Sequence, residues 1–195
     1  MIISIIGNIA SGKSTLIKEL GGVFNKDGDT SVLIEEPVDQ WEFFDDFNEN
    51  MEKYSFAFSM EILKSFAAMP IDDEPSTKYF VERNPLDTVH VFGSVLEKNG
   101  HLDTDSIYLL TRYAETFCWK PNRIIYLDTP APICFDRIEK RARPGEERIT
   151  YEYIRALEFS YENSLKNVYK NTPVLRLSHT DTMSDMISKI REFSA

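Results

Sequence analysis

Cysteine, histidine and long apolar runs are all scarce in this chain of 195 residues. Two cysteines, Cys118 and Cys134, are too few for a disulfide scaffold, so a reducing compartment is the simpler expectation. The three histidines are scattered and form no metal-binding pattern. No apolar run approaches the roughly 20 residues that cross a bilayer, and the amino terminus has no basic leader. We therefore expect a cytoplasmic protein.

Basic residues are also in the minority. The chain has 22 Lys and Arg against 32 Asp and Glu, which gives a formal net charge of −10 at pH 7. This charge argues against non-specific binding to nucleic acid or to an anionic membrane. If the protein binds phosphates, the positive field must be local.

Five short apolar runs alternate with longer segments that have helical spacing. We predict buried parallel strands at 2–6, 31–35, 79–82, 123–128 and 173–178. We predict helices at 14–23, 51–68, 85–99, 103–119, 131–143, 150–170 and 181–193. The loops 25–30, 70–78 and 144–147 are too short for domain linkers, so residues 1–195 should form one three-layer α/β domain. Its functional side chains should follow the strands, because ligands bind beyond the carboxyl ends of parallel strands.

The most specific local pattern follows the first predicted strand and reads Gly7, Asn8, Ile9, Ala10, Ser11, Gly12, Lys13, Ser14 and Thr15. It matches the phosphate-binding loop G-x-x-x-x-G-K-[ST] in the strand-to-helix context that this loop requires. Backbone N–H groups can hold a triphosphate there, while Lys13 reaches its phosphates and the Ser14 hydroxyl is placed to ligate Mg²⁺. The alternative is a glycine turn that caps a helix. No Asn-Lys-x-Asp loop follows a late strand, which argues against a GTPase.

Charged residues follow the second and third predicted strands. Glu36, fixed by a following proline, suits a general base for an attacking hydroxyl, with Trp41 as an apolar wall beside it. Glu82 can hold Mg²⁺ through water, and Arg83 can neutralise charge during phosphoryl transfer. The alternatives are an acidic surface turn around Glu36 and an ion pair between Glu82 and Arg83.

A dense basic cluster in segment 137–148 contains Arg137, Arg141 and Arg143. Arg137 and Arg141 are four residues apart on one helix face, and a Pro-Gly pair then breaks the helix. We interpret segment 137–148 as a lid that closes arginines over a triphosphate and excludes water. A solvated helix end is the alternative.

Apolar residues in the predicted helix 51–68 repeat with helical spacing. The stripe comprises Phe56, Ser59, Ile62, Leu63 and Phe66, with Phe58 on a neighbouring face and Phe92 on the next helix. Such a stripe either belongs to the core or lines a slot for a flat ring, and both readings stay open.

Taken together, several segments resemble the deoxynucleoside kinase family, which includes thymidine, deoxycytidine and deoxyguanosine kinases; the compact chain is similar to viral or bacterial members. The resemblance is carried by 7–15, by Glu36-Pro37-Val38 with Trp41, by Glu82-Arg83, by Asn99-Gly100-His101-Leu102 and by 137–146. It implies a P-loop kinase fold with a five-stranded parallel sheet flanked by helices, and a homodimer. It also implies Mg²⁺ with ATP as donor and the 5′-hydroxyl of a 2′-deoxynucleoside as acceptor.

The resemblance also implies roles for individual residues. Glu36 matches the family's base, Glu82 its Mg-associated acid and Arg83 its transition-state arginine. The family's lid arginines match Arg137, Arg141 and Arg143. Its glutamate that receives the sugar 3′-hydroxyl matches Glu146 or the adjacent Glu147. The residues that pack the base match Trp41 and Phe92.

The chain departs from the family pattern at four positions. Asn84 replaces the serine of Glu-Arg-Ser, Ser59 falls near the glutamine that reads the base edge, and Asn48 falls near the sugar-binding tyrosine. Thr88 stands where deoxycytidine and purine kinases carry an aspartate. The threonine at this position favours thymidine or a broad pyrimidine range as substrate.

Two other functions compete with this interpretation. A thymidylate-type nucleoside monophosphate kinase would share the fold, loop and lid, but Glu36 would repel its acceptor phosphate. A regulatory protein that binds ATP without an acceptor would need no acceptor pocket.

Overall fold

The computed structural model describes residues 1–24, 31–72 and 77–195. Its five strands are β1 (Ile2–Gly7), β2 (Ser31–Ile34), β3 (Lys78–Glu82), β4 (Arg123–Asp128) and β5 (Val174–Ser178). They form one sheet in the order β2-β3-β1-β4-β5, and every neighbouring pair is parallel. The predicted five-stranded parallel sheet is confirmed. The predicted loop 25–30 and residues 73–76 of the loop 70–78 lie outside the described residues.

Helices flank the sheet on both faces. They are α1 (Lys13–Phe24), α2 (Phe44–Glu49), α3 (Met51–Ala67), α4 (Pro85–Asp87), α5 (Ser94–Lys98), α6 (Thr104–Phe117), α7 (Ala131–Arg141), α8 (Tyr151–Asn167) and α9 (Met183–Ser194). A 3₁₀ turn spans Val38–Gln40, and a π-helical segment spans Thr88–Gly93 between α4 and α5. None of the helices in the described part of the chain is long and apolar enough to cross a membrane.

Two helical predictions were wrong in detail, and one helix was missed. The single helix predicted over 85–99 is interrupted by the π-helical segment, because hydrophobic spacing does not reveal the hydrogen-bond pattern of a helix. Helix α2 was missed, since six residues are too few to show a periodic stripe. Helix α7 ends at Arg141 rather than at residue 143, because Ala142 adopts a left-handed conformation with φ 45°.

The core lies on both faces of the sheet. Ile3 and Ile5 of β1 pack with α1 and α9, whereas Ile6 packs with α7 and α8 on the opposite face. All three isoleucines are fully buried. Burial on both faces explains why the central strand is largely apolar, with Ser4 as its one polar side chain, rather than alternating with polar residues.

The strand register brings three chain segments to one edge. Ile5 of β1 is level with Glu82 of β3, and Ile34 of β2 is level with Val81 of β3. The residues that follow β1, β2 and β3 therefore meet at the carboxyl edge, where ligands bind in this class of sheet.

Candidate active site

The loop after β1 encloses Lys13. Gly7 and Gly12 have φ of 149° and 109°, conformations that favour glycine. Lys13 is only 4% exposed, and its Nζ donates to the Asn8 carbonyl at 2.9 Å. Burial, and to a lesser degree the charge of Arg83, lower the pKa of Lys13 to about 8. The Asn8 amide anchors the loop by donating to the Ile154 carbonyl at 2.9 Å.

Close packing around Gly7 leads to a stability prediction. A Cβ there would lie 2.8 Å from Ser11 Oγ and 2.9 Å from the Leu127 carbonyl oxygen. We expect Gly7→Ala to lower the free energy of unfolding by about 2–4 kcal/mol, because overpacking adds to backbone strain. Urea denaturation measures this change.

The control is Gly22→Ala in the same stretch of chain. Gly22 is exposed in α1, and a Cβ would meet nothing within 4 Å. Alanine should raise the stability by roughly 0.5–1 kcal/mol. Equal effects of the two substitutions would contradict the packing argument.

Glu36 and Arg83 meet across the edge between β2 and β3. Arg83 Nε donates to Glu36 Oε2 at 2.9 Å, and both side chains are nearly buried. Arg83 Nη1 also donates to the Gly7 carbonyl at 3.2 Å and to the Tyr161 hydroxyl at 2.7 Å. Burial raises the pKa of Glu36 despite the opposing charge of Arg83. The result is a fixed carboxylate with raised basicity, whose Oε1 can engage a hydroxyl.

Glu82 faces the phosphate-binding loop instead of pairing with Arg83. Ser14 Oγ donates to Glu82 Oε1 at 3.1 Å, and Lys13 Nζ lies 4.0 Å from the same oxygen. A hydroxyl and a carboxylate are hard oxygen ligands, so this pair fits Mg²⁺. Within the described ranges no group of three or more His, Cys, Asp and Glu could hold a metal by itself. An ion here would therefore depend on phosphate oxygens and water for its remaining ligands.

A cavity of about 370 Å³ opens beside Glu36. Ten residues that the sequence analysis considered for the acceptor site line it, namely Glu36, Trp41, Asn48, Phe58, Ser59, Ile62, Arg83, Thr88, Phe92 and Glu146. Such a volume is in the usual range for small-molecule sites. The structure thus gathers residues from widely separated elements around one ring-sized space.

The aromatic stripe of α3 divides between cavity and core. Ser59 and Ile62 line the cavity, as does Phe58 from the neighbouring face. Leu63 and Phe66 are buried elsewhere in the core, and Phe56 is 37% exposed. Only part of the stripe therefore serves the cavity.

Two cavity-lining side chains carry buried donors. Trp41 Nε1 and Asn48 Nδ2 are inaccessible to solvent and have no hydrogen-bond partner among the described residues. A buried donor without an acceptor costs about 1–3 kcal/mol. A small shift that brings either group to a ligand acceptor would recover this cost.

A second cavity of about 480 Å³ lies on the other side of the phosphate-binding loop. Residues after β5, including His179, Met183 and Met186, form its far wall. The two cavities share four lining residues, which are Ala10, Ser14, Arg141 and Arg143. A molecule in each cavity would meet its neighbour at the loop, beneath two arginines.

The segment 137–148 lies over this junction. Arg141 forms a bidentate ion pair with Glu146 at 2.7 and 3.2 Å, and Arg137 Nη1 donates to the carbonyls of Ala10 and Ser11. Glu146 is buried and lines the acceptor cavity, whereas Glu147 is exposed. Of the two glutamates, Glu146 is therefore the one placed to contact a ligand.

Sequence reasoning missed the contribution of α8. Tyr161 accepts the hydrogen bond from Arg83, and Tyr153 lines the acceptor cavity. Burial holds the pKa of Tyr161 well above its usual range, so the phenol stays neutral. The two tyrosines are eight residues apart and therefore lie on one helix face. This spacing was the signal in the sequence that could have identified them as a pair. Helical spacing alone, however, does not indicate that this face meets β3.

Comparison with known proteins decides the family. The family model described as deoxynucleoside kinase matches residues 3–193. The chain belongs to the deoxynucleoside kinase family. It is therefore a kinase, a phosphotransferase whose acceptor is an alcohol, and the resemblance found in the sequence is confirmed.

Curated relatives span several substrates and sources. The kinase is 28% identical over 172 residues to a putative kinase protein of Invertebrate iridescent virus 6. The alignment covers 88% of this chain and 85% of the relative. It is 28% identical over 187 residues to a deoxyguanosine kinase of Bacillus subtilis, with 92% and 85% covered. It is 27% identical over 182 residues to a deoxyadenosine kinase of Dictyostelium discoideum, with 92% and 72% covered.

Solved structures share the fold. A deoxyadenosine kinase from M. mycoides with the products dCMP and dCDP bound has a TM-score of 0.83 and 22% identity, covering 100% of this chain and 98% of the other. The same enzyme with bound dATP gives a TM-score of 0.82 at 21% identity and covers 100% of both chains.

Proposed function

We propose that this kinase transfers the γ-phosphoryl group of ATP to the 5′-hydroxyl of a 2′-deoxynucleoside. The single observation that carries the proposal is the meeting of two cavities at the phosphate-binding loop, with Glu36 in one and Lys13 lining the other. A triphosphate in the second cavity would place its γ-phosphate near Ser14, which both cavities share.

The charged residues at the junction suit phosphoryl transfer. Glu36 accepts or orients the proton of the attacking hydroxyl, and its raised pKa favours this role. Arg83 holds Glu36 through Nε and is itself held through Nη1, so its Nη2 is the nitrogen that it offers to the transferring group. Lys13 neutralises the β and γ phosphates. Mg²⁺, held by Ser14 and through water by Glu82, supplies further charge neutralisation on the phosphates when it is bound.

Segment 137–148 acts as the lid in this proposal. Arg137, Arg141 and Arg143 surround the donor phosphates, and Glu146 receives the sugar 3′-hydroxyl. The Arg141–Glu146 ion pair joins the donor and acceptor contacts in one segment. Closure over both substrates excludes water, which protects the donor from hydrolysis.

The acceptor is a nucleoside with a flat base and a small polar edge. Trp41, Phe58 and Phe92 supply the apolar walls of the cavity. Ser59 and Thr88 are both at most 5% exposed and line the cavity with hydroxyl groups, which can donate or accept. Because each hydroxyl can donate or accept, these two groups discriminate weakly between base edges, which supports a broad pyrimidine range that includes thymidine. The names of the relatives range over deoxyadenosine, deoxyguanosine and deoxycytidine kinases.

A substrate panel tests the proposal. Purified protein with Mg²⁺ and ATP should phosphorylate thymidine. The kcat/KM for deoxycytidine should lie within roughly tenfold of the kcat/KM for thymidine, as measured by coupled ADP release. The panel includes the four deoxynucleosides and thymidylate. Turnover of thymidylate alone would instead indicate a nucleoside monophosphate kinase. ATP binding without turnover of any acceptor would indicate a regulatory protein.

We further propose a cytoplasmic homodimer. Both cysteines are free thiols, which fits a reducing compartment. Helix α6 exposes the large side chains of Tyr108, Leu109 and Phe117, which suits a protein interface. Sedimentation equilibrium at micromolar concentration would contradict the dimer if it gave only the chain mass of 22.6 kDa.

A further inference from the structure

The backbone of Arg83 is held in an unusual conformation. Its φ is 61°, in the left-handed region that non-glycine residues adopt only when their surroundings impose it. This conformation directly follows β3 and turns the side chain toward Glu36 and Gly7. Some feature of the surrounding structure must therefore stabilise the turn.

A buried chain of hydrogen bonds reaches the Arg83 carbonyl. Ser4 Oγ donates to this carbonyl oxygen at 2.7 Å, and the Asn84 amide donates to Ser4 Oγ at 3.0 Å. Tyr169, which follows α8, has its hydroxyl 2.9 Å from Asn84 Oδ1 and 2.7 Å from Asp87 Oδ1. All four side chains are at most 1% exposed.

Asn84 can link these groups because it has two functional ends. Its Oδ1 accepts from the backbone N–H groups of Leu86 and Asp87, which caps the first turn of α4. Its Nδ2 is then available to donate to Ser4. A serine, the usual residue of the family motif, has a single side-chain oxygen and a shorter reach. The departure from that motif is thus matched by a specific contact.

We propose that Ser4, Asn84 and Tyr169 are positioning residues, which hold the left-handed backbone of Arg83 and so keep its guanidinium at the junction of the two cavities. Tyr161 fixes the guanidinium of Arg83, because its hydroxyl accepts a hydrogen bond from Nη1. Arg83 is therefore held at both its main chain and its guanidinium. The inference rests on the proposed role of Arg83 in phosphoryl transfer.

The test compares two buried serines. Ser4→Ala removes the donor to the Arg83 carbonyl, and Ser55→Ala removes a fully buried hydroxyl that donates to the Met51 carbonyl within α3. We expect Ser4→Ala to lower kcat about tenfold with both KM values within twofold, because misplacing a charged group weakens transition-state contacts. Ser55→Ala should keep the wild-type kcat. Thermal unfolding of both variants verifies that they fold.

Tyr169→Phe provides a second variant that removes only a hydroxyl. It acts two hydrogen bonds further from Arg83 than Ser4 does, so we expect kcat to fall about threefold. A merely structural role would lower the melting temperature of Ser4→Ala and Tyr169→Phe and leave kcat unchanged. That result would overturn the proposal.

A double-mutant cycle separates this inference from the proposed function. In an Arg83→Lys background, Ser4→Ala should cause no further loss of kcat, because the group it positions is gone. A further tenfold loss would show that Ser4 acts by another route and would overturn the inference alone. Full activity of Arg83→Lys would instead remove the proposed role of Arg83, and the inference with it.

Discussion

Replacing Glu36 with glutamine is expected to lower kcat roughly 10²- to 10³-fold, because the amide cannot take the proton of the acceptor hydroxyl. Glutamine keeps an oxygen that can accept the hydrogen bond from Arg83 Nε, so the cavity should retain its shape. The Kd for ATP should stay within about twofold, since the donor lies in the other cavity. Steady-state kinetics and equilibrium binding of ATP measure the two quantities.

Glu35 offers a matched control for this substitution. It precedes Glu36 directly, but its side chain is 47% exposed and lies 3.5 Å from the ammonium of Lys18. Glu35→Gln removes the same charge next to the same strand, and kcat should remain near the wild-type value. Comparable losses in the two variants would indicate a general electrostatic effect rather than a base at position 36.

Replacing Asp87 with asparagine is expected to remove a pH-dependent loss of stability. Burial raises the pKa of Asp87 to about 7, and its Oδ2 has no partner among the described residues. The folded state therefore keeps a proton that the unfolded chain releases near pH 4. The stability consequently falls as the pH rises from about 4 to about 7. Stability should fall by about 2.7 kcal/mol between pH 5 and pH 7, at about 1.36 kcal/mol for each pH unit, and should change little between pH 7 and pH 8.

The measurement compares urea unfolding of wild type and Asp87→Asn at pH 5 and at pH 8. The two proteins should have similar stability at pH 5, and the variant should be more stable at pH 8, because the amide resembles the neutral acid. Asp105→Asn, a substitution of an exposed aspartate in the first turn of α6, controls for the change in net charge. Parallel pH dependence in wild type and Asp87→Asn would show that Asp87 titrates normally.

The sheet and the phosphate-binding loop were predictable because their signals are local. A buried parallel strand needs a short apolar run, and all five runs were found within one or two residues of the observed bounds. The loop needs glycines where φ is positive and a lysine at a fixed distance, as Gly7, Gly12 and Lys13 show. Short and irregular elements escaped prediction. Helix α2 has too few residues to show a periodic stripe, and helical spacing does not distinguish the π-helical segment from an α-helix.

The sequence alone determined which residue types reach the carboxyl edge of the sheet, because the carboxyl ends of parallel strands lie at one edge and the residues that follow each strand can be read from the sequence. Only the tertiary structure decided how those side chains pair. Arg83 binds Glu36 rather than the adjacent Glu82, and it is held by Tyr161, 78 residues further along the chain. Sequence patterns report burial and local geometry, whereas these contacts depend on how distant helices pack against the sheet.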